Sequence, residues 1–402
     1  MKVKSIKQAK NINGQTVFLR VDFNVPMKNG KVVDSTRMQQ SLEDINYLMD
    51  RGCKIVIATH LGRPEGRRNM AYSVKPLIKL LVAALERPVK YIDATGAKNL
   101  NAAAKTISKL KPGSLVFLEN LRFNKEEQKN DITYAKKLAA LADVYVNNAF
   151  AVCHRADASV SAIKKYLPSY AGLLVEKEVL NLNKVLTPKK PMVAIVGGIK
   201  IETKLALLKK LSANSSKILL GSALAMNFFA AKGYNVGQNK VDAKSIKIAK
   251  SLLKTIGRKL ILPSDLLTCS NLKNLALTKS SVISLKNIKE VKKDEMIVDV
   301  GPATIEAYAA LIRKAKTIVW NGPLGIIEVP SFRYGTVIVA RAIATRAGGP
   351  AFGVIGGGET IEAMAMTKMA ENIDWISTGG GAMLSYLGGE KMPGLTGLIS
   401  NK

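Results

Sequence analysis

The chain has two histidines, and each sits beside an arginine at the end of an apolar run. His60 lies in Thr59-His60-Leu61-Gly62-Arg63-Pro64, after Lys54-Ile55-Val56-Ile57-Ala58. His154 precedes Arg155, shortly after Asp143-Val144-Tyr145-Val146. A third run, Val17–Val25, carries Arg20, Asp22 and Asn24 at alternate positions, and a period of two puts them on one face of a strand. A fourth, Leu115–Leu118, runs into Glu119-Asn120-Leu121-Arg122-Phe123. Strands that finish in cations suit the walls of a site for a small, highly charged anion. Either protonation state of an imidazole serves there. Cys153 beside His154 suggests a nucleophile–base pair, but neighbours in an extended chain point to opposite sides.

The second half finishes its strands in glycine instead: Gly197-Gly198, Gly221, Gly301, Gly322, Gly356-Gly357-Gly358 and Gly379-Gly380-Gly381. Glycine there lets backbone N–H groups approach phosphate at a helix N-terminus. Helical spacing after Gly197 puts Lys200 and Lys204 on one face. Cations in a first turn oppose the helix dipole unless an anion sits there. Glu359 and Thr360 follow the glycine triplet as a metal ligand and a hydroxyl would. Both the P-loop and the Gly-x-Gly-x-x-Gly fingerprints are missing.

These residues need a scaffold. Apolar β-rich runs alternate with helix-like stretches, including Ser35–Arg51, Asp131–Ala142, Ile201–Leu211, Ala223–Lys232 and Ile361–Met369. That order predicts an α/β fold of parallel, doubly wound sheets, too long for one open sheet. The expected division is an N-terminal lobe over 1–175, a helical hinge over 176–191 and a C-terminal lobe over 192–389. In open α/β sheets, ligands bind beyond the carboxyl ends of the strands.

With 402 residues, 47% hydrophobic and 23% charged, the chain has a soluble globular composition. No apolar run reaches the ~20 residues that span a bilayer, and no signal peptide is read. Three widely spaced cysteines, Cys53, Cys153 and Cys269, suit a reducing cytoplasm. The net charge of +31 points either to a nucleic-acid partner or to scattered surface lysine. The lysines are dispersed and aromatics are only 5%, which favours the second reading.

The motifs together resemble phosphoglycerate kinase from end to end: Arg20–Pro26, His60–Pro64, Glu119–Phe123, Asn147–Ser159, Gly197–Lys204, Val319–Pro323, Gly356–Thr360 and Ser377–Ala382. The resemblance implies a cytoplasmic, monomeric glycolytic kinase of two Rossmann-like lobes, with the segment about 390–402 packing back on the first. It moves a phosphoryl group from 1,3-bisphosphoglycerate to ADP, giving 3-phosphoglycerate and ATP, with Mg²⁺. It implies a glycerate site of Asp22, Asn24, Arg37, His60, Arg63, Arg122 and Arg155, with Arg20 and His154 in a surrounding basic patch. It implies a nucleotide site of Gly198, Lys200, Lys204, Asn321, Pro323, Gly325, Glu328, Gly357, Gly358, Glu359 and Thr360, with Glu328 on the ribose and Glu359 on the metal. Arg37 and Lys204 are expected to touch the transferring group, and Gly357, Gly358, Gly380 and Gly381 to offer N–H groups, Gly357 and Gly380 at the catalytic centre. Such chemistry asks for positioning and charge neutralisation, and implies lobe closure about 176–191. Three positions depart from the family pattern: Glu359 for aspartate, Asp157 for a histidine, and Gly221-Ser222-Ala223 for a glycine cluster. Shifts in metal requirement, substrate affinity and base selectivity are the expected consequences. A basic nucleic-acid-binding protein is the alternative reading.

Overall fold

The structure, a computed structural model, describes residues 2–272 and 275–400. Asn401 and Lys402, the last two residues of the expected returning tail, lie outside the described residues. The chain divides into two units, Met1–Leu180 with Lys391–Lys402, and Asn181–Glu390. The boundary falls inside one helix, Leu173–Leu186.

The first unit is built on a six-stranded sheet in the order Val89–Ile92, Leu115–Leu118, Lys54–Ala58, Thr16–Arg20, Val144–Asn147, Ser169–Ala171. Every pairing in it is parallel. Strands covered on both faces read as continuous apolar runs, and Leu115–Leu118 is buried throughout. Alternation sorts the side chains. Val17, Leu19, Ile55 and Ile57 join one core cluster, while Phe18, Val56, Ala58 and Tyr145 join the other. Burial of each such large side chain contributes about 1.5–3 kcal/mol. Residues Lys2–Val3 pair antiparallel with Ile399–Ser400 within this same unit.

The second unit repeats the plan. Its six parallel strands run Leu260–Ile261, Lys217–Leu220, Met192–Val196, Thr317–Asn321, Phe352–Gly356, Trp375–Ser377. A separate antiparallel sheet, Val282–Lys286, Leu266–Ser270 and Glu295–Val300, corrects the expectation that the run ending at Val300 belongs to the parallel array.

In each sheet one strand has later strands of the chain on both of its sides, so the connections leave it toward opposite edges of the sheet. Thr16–Arg20 lies between Lys54–Ala58 and Val144–Asn147, and Met192–Val196 between Lys217–Leu220 and Thr317–Asn321. Such switch points open a crevice beyond the strand's carboxyl end. Arg20 and Val196 mark the two crevices.

Two expected elements are shorter than read. The strand expected over Val17–Val25 stops at Arg20. Val21 N–H still bonds Ala58 O, but Phe23 N–H turns to the Thr59 hydroxyl, so Asp22 and Asn24 sit on a loop. The helix expected over Ser35–Arg51 breaks into Thr36–Gln39 and Leu42–Met49, where Ser41 N–H bonds Met38 O. Among the described residues no helix is long and apolar enough to cross a membrane.

Candidate active site

In the first unit, Arg20, Arg37, Arg122 and Arg155 gather around His60 at the crevice beyond the strand Thr16–Arg20. Arg20 is fully buried. Its Nε donates to Ser159 Oγ at 2.9 Å, one terminal nitrogen donates to Val21 O, and the other approaches His60 Nδ1 at 3.3 Å. All its donors are directed inward, so Arg20 is scaffolding and not part of an exposed basic patch. His60 is buried. Burial, then the charges of Arg20, Arg122, Arg155 and Arg37, hold its pKa well below the usual imidazole value. The imidazole is therefore neutral at pH 7.

Arg37, on the short helix Thr36–Gln39, donates to Asp22 Oδ2 at 2.7 Å and to Asn24 O at 3.3 Å. Asn24 Oδ1 accepts from Gly62 N at 2.9 Å, tying the two loops together. Arg122 donates to Gly62 O at 3.0 Å and lies 3.5 Å from Asp157 Oδ2. Burial lowers the Arg122 pKa while Asp157 pulls the other way. Its Nε is buried with no hydrogen-bond partner among the described residues. Arg63 is exposed and Arg155 half-buried, its Nε bonded to His154 Nε2 at 3.3 Å.

The spacing of charged residues does not reveal what holds this cradle. Glu119 accepts from Ser73 Oγ, Val74 N, Tyr91 OH and Asn120 N, at 2.7–2.9 Å. Asn120 bonds Leu61 through both its amide and its carbonyl, and its carbonyl also accepts Arg122 N at 3.0 Å. The pair thereby fixes the His60 loop against the Arg122 turn. Cys153 is not a nucleophile: burial pushes its thiol up to about 12, so it stays protonated.

In the second unit, Gly198, Lys204, Asn321, Gly322, Gly357, Gly358, Glu359, Thr360, Gly380, Gly381 and Leu384 line a cavity of about 410 Å³. Gly357 holds φ 105° at the start of the helix Gly358–Met366, a backbone state that favours glycine. A Cβ on Gly380 would lie 2.9 Å from Gly357 Cα, so the two glycine loops touch backbone to backbone. Asn321 accepts from Lys204 Nζ and donates to Gly356 O at 2.5 Å. Thr360 Oγ1 accepts from Gly322 N at 2.7 Å. Burial lowers the Lys204 amine to about 8, partly opposed by Glu359.

Lys200 and Lys204 do not share a helix face. Lys204 N–H bonds Ile201 O in the turn Glu202–Lys204, and the helix begins at Leu205. Lys204 is buried and Lys200 exposed. Of the expected nucleotide residues, Lys200, Pro323, Gly325 and Glu328 are not in the cavity wall, whereas the strand-end Gly322 and Leu384, the latter not singled out from sequence, are. Gly325 instead packs on Asp299, with its N–H on Thr336 Oγ1 at 3.0 Å. Burial raises the Asp299 carboxyl to about 7.

An arginine cradle in one unit and a peptide-lined cavity with one buried lysine in the other make a pair of anion sites. Comparison with known proteins gives the chain a family. Residues 6–390 match the family profile described as "Phosphoglycerate kinase". The chain is 39% identical over 400 residues to the phosphoglycerate kinase of Borreliella afzelii, covering 98% of this chain and 99% of that one. It is 40% identical over 390 residues to that of Dictyoglomus turgidum, covering 96% of each. The chain belongs to the phosphoglycerate kinase family. The structure of phosphoglycerate kinase from Coxiella burnetii superposes with a TM-score of 0.86 at 34% identity, covering 99% of both chains. Membership of the phosphoglycerate kinase family makes this chain a phosphotransferase whose acceptor is a carboxyl group, with ADP and ATP as nucleotide substrates. It gives no support to a nucleic-acid-binding module.

Proposed function

We propose that the first-unit cradle takes 3-phosphoglycerate or 1,3-bisphosphoglycerate, and that the second-unit cavity takes ADP or ATP with Mg²⁺. Asp22, Asn24, His60, Arg63, Arg122 and Arg155 hold the glycerate and its phosphate. Arg37 and Lys204 touch the transferring group, as a bidentate fork and a compact charge respectively. Gly198, Gly357, Gly358 and Gly380 offer N–H groups to the phosphates, Asn321 and Thr360 shape the wall, and Lys200, Pro323, Gly325 and Glu328 serve the rest of the nucleotide.

The observation that carries this reading is the Arg122 Nε, a buried donor of the cradle without a partner among the described residues. Buried donors are normally satisfied, and a substrate oxygen satisfies this one. The protonated Cys153 thiol supports direct transfer, without a covalent enzyme intermediate.

The residues also fit Mg²⁺. Glu359 is exposed at the first turn of its helix, beside the cavity. Among the described residues no group of three or more His, Cys, Asp or Glu stands ready to hold a metal ion. A single carboxylate suits an ion that keeps several waters and takes substrate phosphates as ligands. When bound, Mg²⁺ neutralises charge on the phosphate oxygens. A monomeric, cytoplasmic enzyme belongs to the same reading, and three buried free thiols support the compartment.

A coupled assay with 3-phosphoglycerate, ATP and Mg²⁺ tests the roles. Arg37→Ala and Lys204→Ala should each lower turnover by about 10²–10³-fold, the scale of one lost charge-stabilising donor, with circular dichroism unchanged. Wild-type turnover in either variant sinks its assignment. Glu359→Ala should change the Mg²⁺ dependence of turnover, and an unchanged dependence removes Glu359 as the ligand.

A further inference from the structure

Glu127 and Ser159 lie outside the glycerate-site residues assigned above; both are fully buried, and Ser159 bonds Arg20. Glu127 accepts at both oxygens, from Ser159 Oγ at 2.5 Å and from Ser159 N at 3.0 Å. Ser159 Oγ has one proton, which goes to Glu127, and it accepts from Arg20 Nε at 2.9 Å. A guanidinium only donates, so the Arg20 terminal nitrogen 3.3 Å from His60 Nδ1 must give its proton to that ring nitrogen. Asp22 Oδ1, the competing acceptor for an Nδ1 proton, is 3.9 Å away, beyond hydrogen-bond reach. Each link leaves the next group one possible role. We propose that Glu127 and Ser159 are positioning residues: through Arg20 they lock His60 as the neutral Nε2–H tautomer, making it a hydrogen-bond donor to a substrate oxygen.

The groups around the ring agree. Arg20, Arg37, Arg122 and Arg155 all disfavour an imidazolium, and among the described residues Asp22, at 3.9 Å, is the one carboxylate within ion-pair distance of the ring. The ring is therefore held as a donor without carrying charge.

This inference rests on the glycerate-site reading, and one experiment separates the two. Nitrogen-15 NMR of the histidine rings reports the tautomer directly, and with two histidines a His154→Gln variant assigns His60 by difference. The expected result is Nε2–H, unchanged as pH passes through ~6.5, the ordinary imidazole value. An imidazolium or an Nδ1–H ring overturns the proposal, and this measurement needs no variant in the relay. In Ser159→Ala, Arg20 loses its anchor. The His60 spectrum should shift to mixed tautomers, and KM for 3-phosphoglycerate should rise about tenfold, the value of one hydrogen bond to a charged group, with kcat changed less. An unmoved His60 spectrum overturns the relay. A shifted spectrum with unchanged KM keeps the relay but removes His60 from the substrate site.

Discussion

Lys204→Met should stabilise the second unit while abolishing turnover. The Lys204 side chain is 9% exposed, and burial lowers its amine from 10.5 to about 8. At about 1.4 kcal/mol per pH unit, the folded state disfavours the protonated amine by about 3 kcal/mol. The sign follows from proton counting. Between about pH 8 and 10.5 the unfolded chain keeps the lysine proton while the folded chain has released it. Stability therefore rises with pH across that window. At pH 7 both states are protonated, so the wild type carries the full penalty. Methionine fills similar space without charge, so the variant should be more stable at pH 7 by up to about 3 kcal/mol, and the gap should close as pH approaches 10.5. Both tryptophans, Trp320 and Trp375, lie in the second unit. Tryptophan fluorescence during urea unfolding thus reports that unit. Equal urea midpoints at pH 7, or a gap that widens as pH rises, would refute the reasoning. A stabler and inactive variant identifies Lys204 as a charge held in place for the reaction at the expense of the fold.

Gly380→Ala puts a Cβ 2.9 Å from Gly357 Cα, so nucleotide affinity by calorimetry should fall more than tenfold, and the melting temperature should fall too because the backbone must shift; unaltered affinity would show that the loop contact is not needed. Asp157→Asn removes the carboxylate 3.5 Å from Arg122. KM for 3-phosphoglycerate should drop several-fold, and the melting temperature should also drop because a buried charge loses its partner; a higher KM contradicts this. Burial raises the Asp44 carboxyl to about 7, against the N–H bond from Leu173. The folded state therefore binds the extra proton between about pH 4 and 7, and stability falls as pH rises through that window. Asp44→Asn should flatten that slope, as thermal melts at about pH 5 and pH 8 would reveal.

Sequence periodicity located the sheets because doubly covered strands have no polar face to confuse the pattern. Met192–Val196 is buried at every position. It over-extended Val17–Val25 because Asp22 and Asn24 keep the alternation of a strand after the backbone has turned toward Thr59. Lys200 and Lys204 misled for a related reason: spacing of four means a shared face only inside a helix, and a turn precedes this one. Arg122 and Lys204 stand in runs of chemically distinctive neighbours, whereas Arg37 was named only through the family resemblance, since nothing beside it in the sequence marks it out. Glu127 and Ser159 were not legible, since their importance depends on a contact across 32 residues that no local spacing encodes. The cavity glycines were legible as a class, but Gly322 and Leu384 became wall residues only once the glycine loops met.

The first unit's return segment has a consequence for biosynthesis. Asn147 Nδ2 donates to Gly394 O at 3.1 Å, Lys164 Nζ donates to Pro393 O and Thr396 O, and Leu395 and Leu398 are buried. These contacts, and the pairing of Ile399–Ser400 with Lys2–Val3, cannot form until the ribosome has made all of the second unit. A nascent chain thus holds an unfinished first unit through more than 200 residues of synthesis, from Asn181 to Glu390. Domains ordinarily finish folding in the order they are made. Here the later unit is complete first, and the first unit gains these contacts only after it.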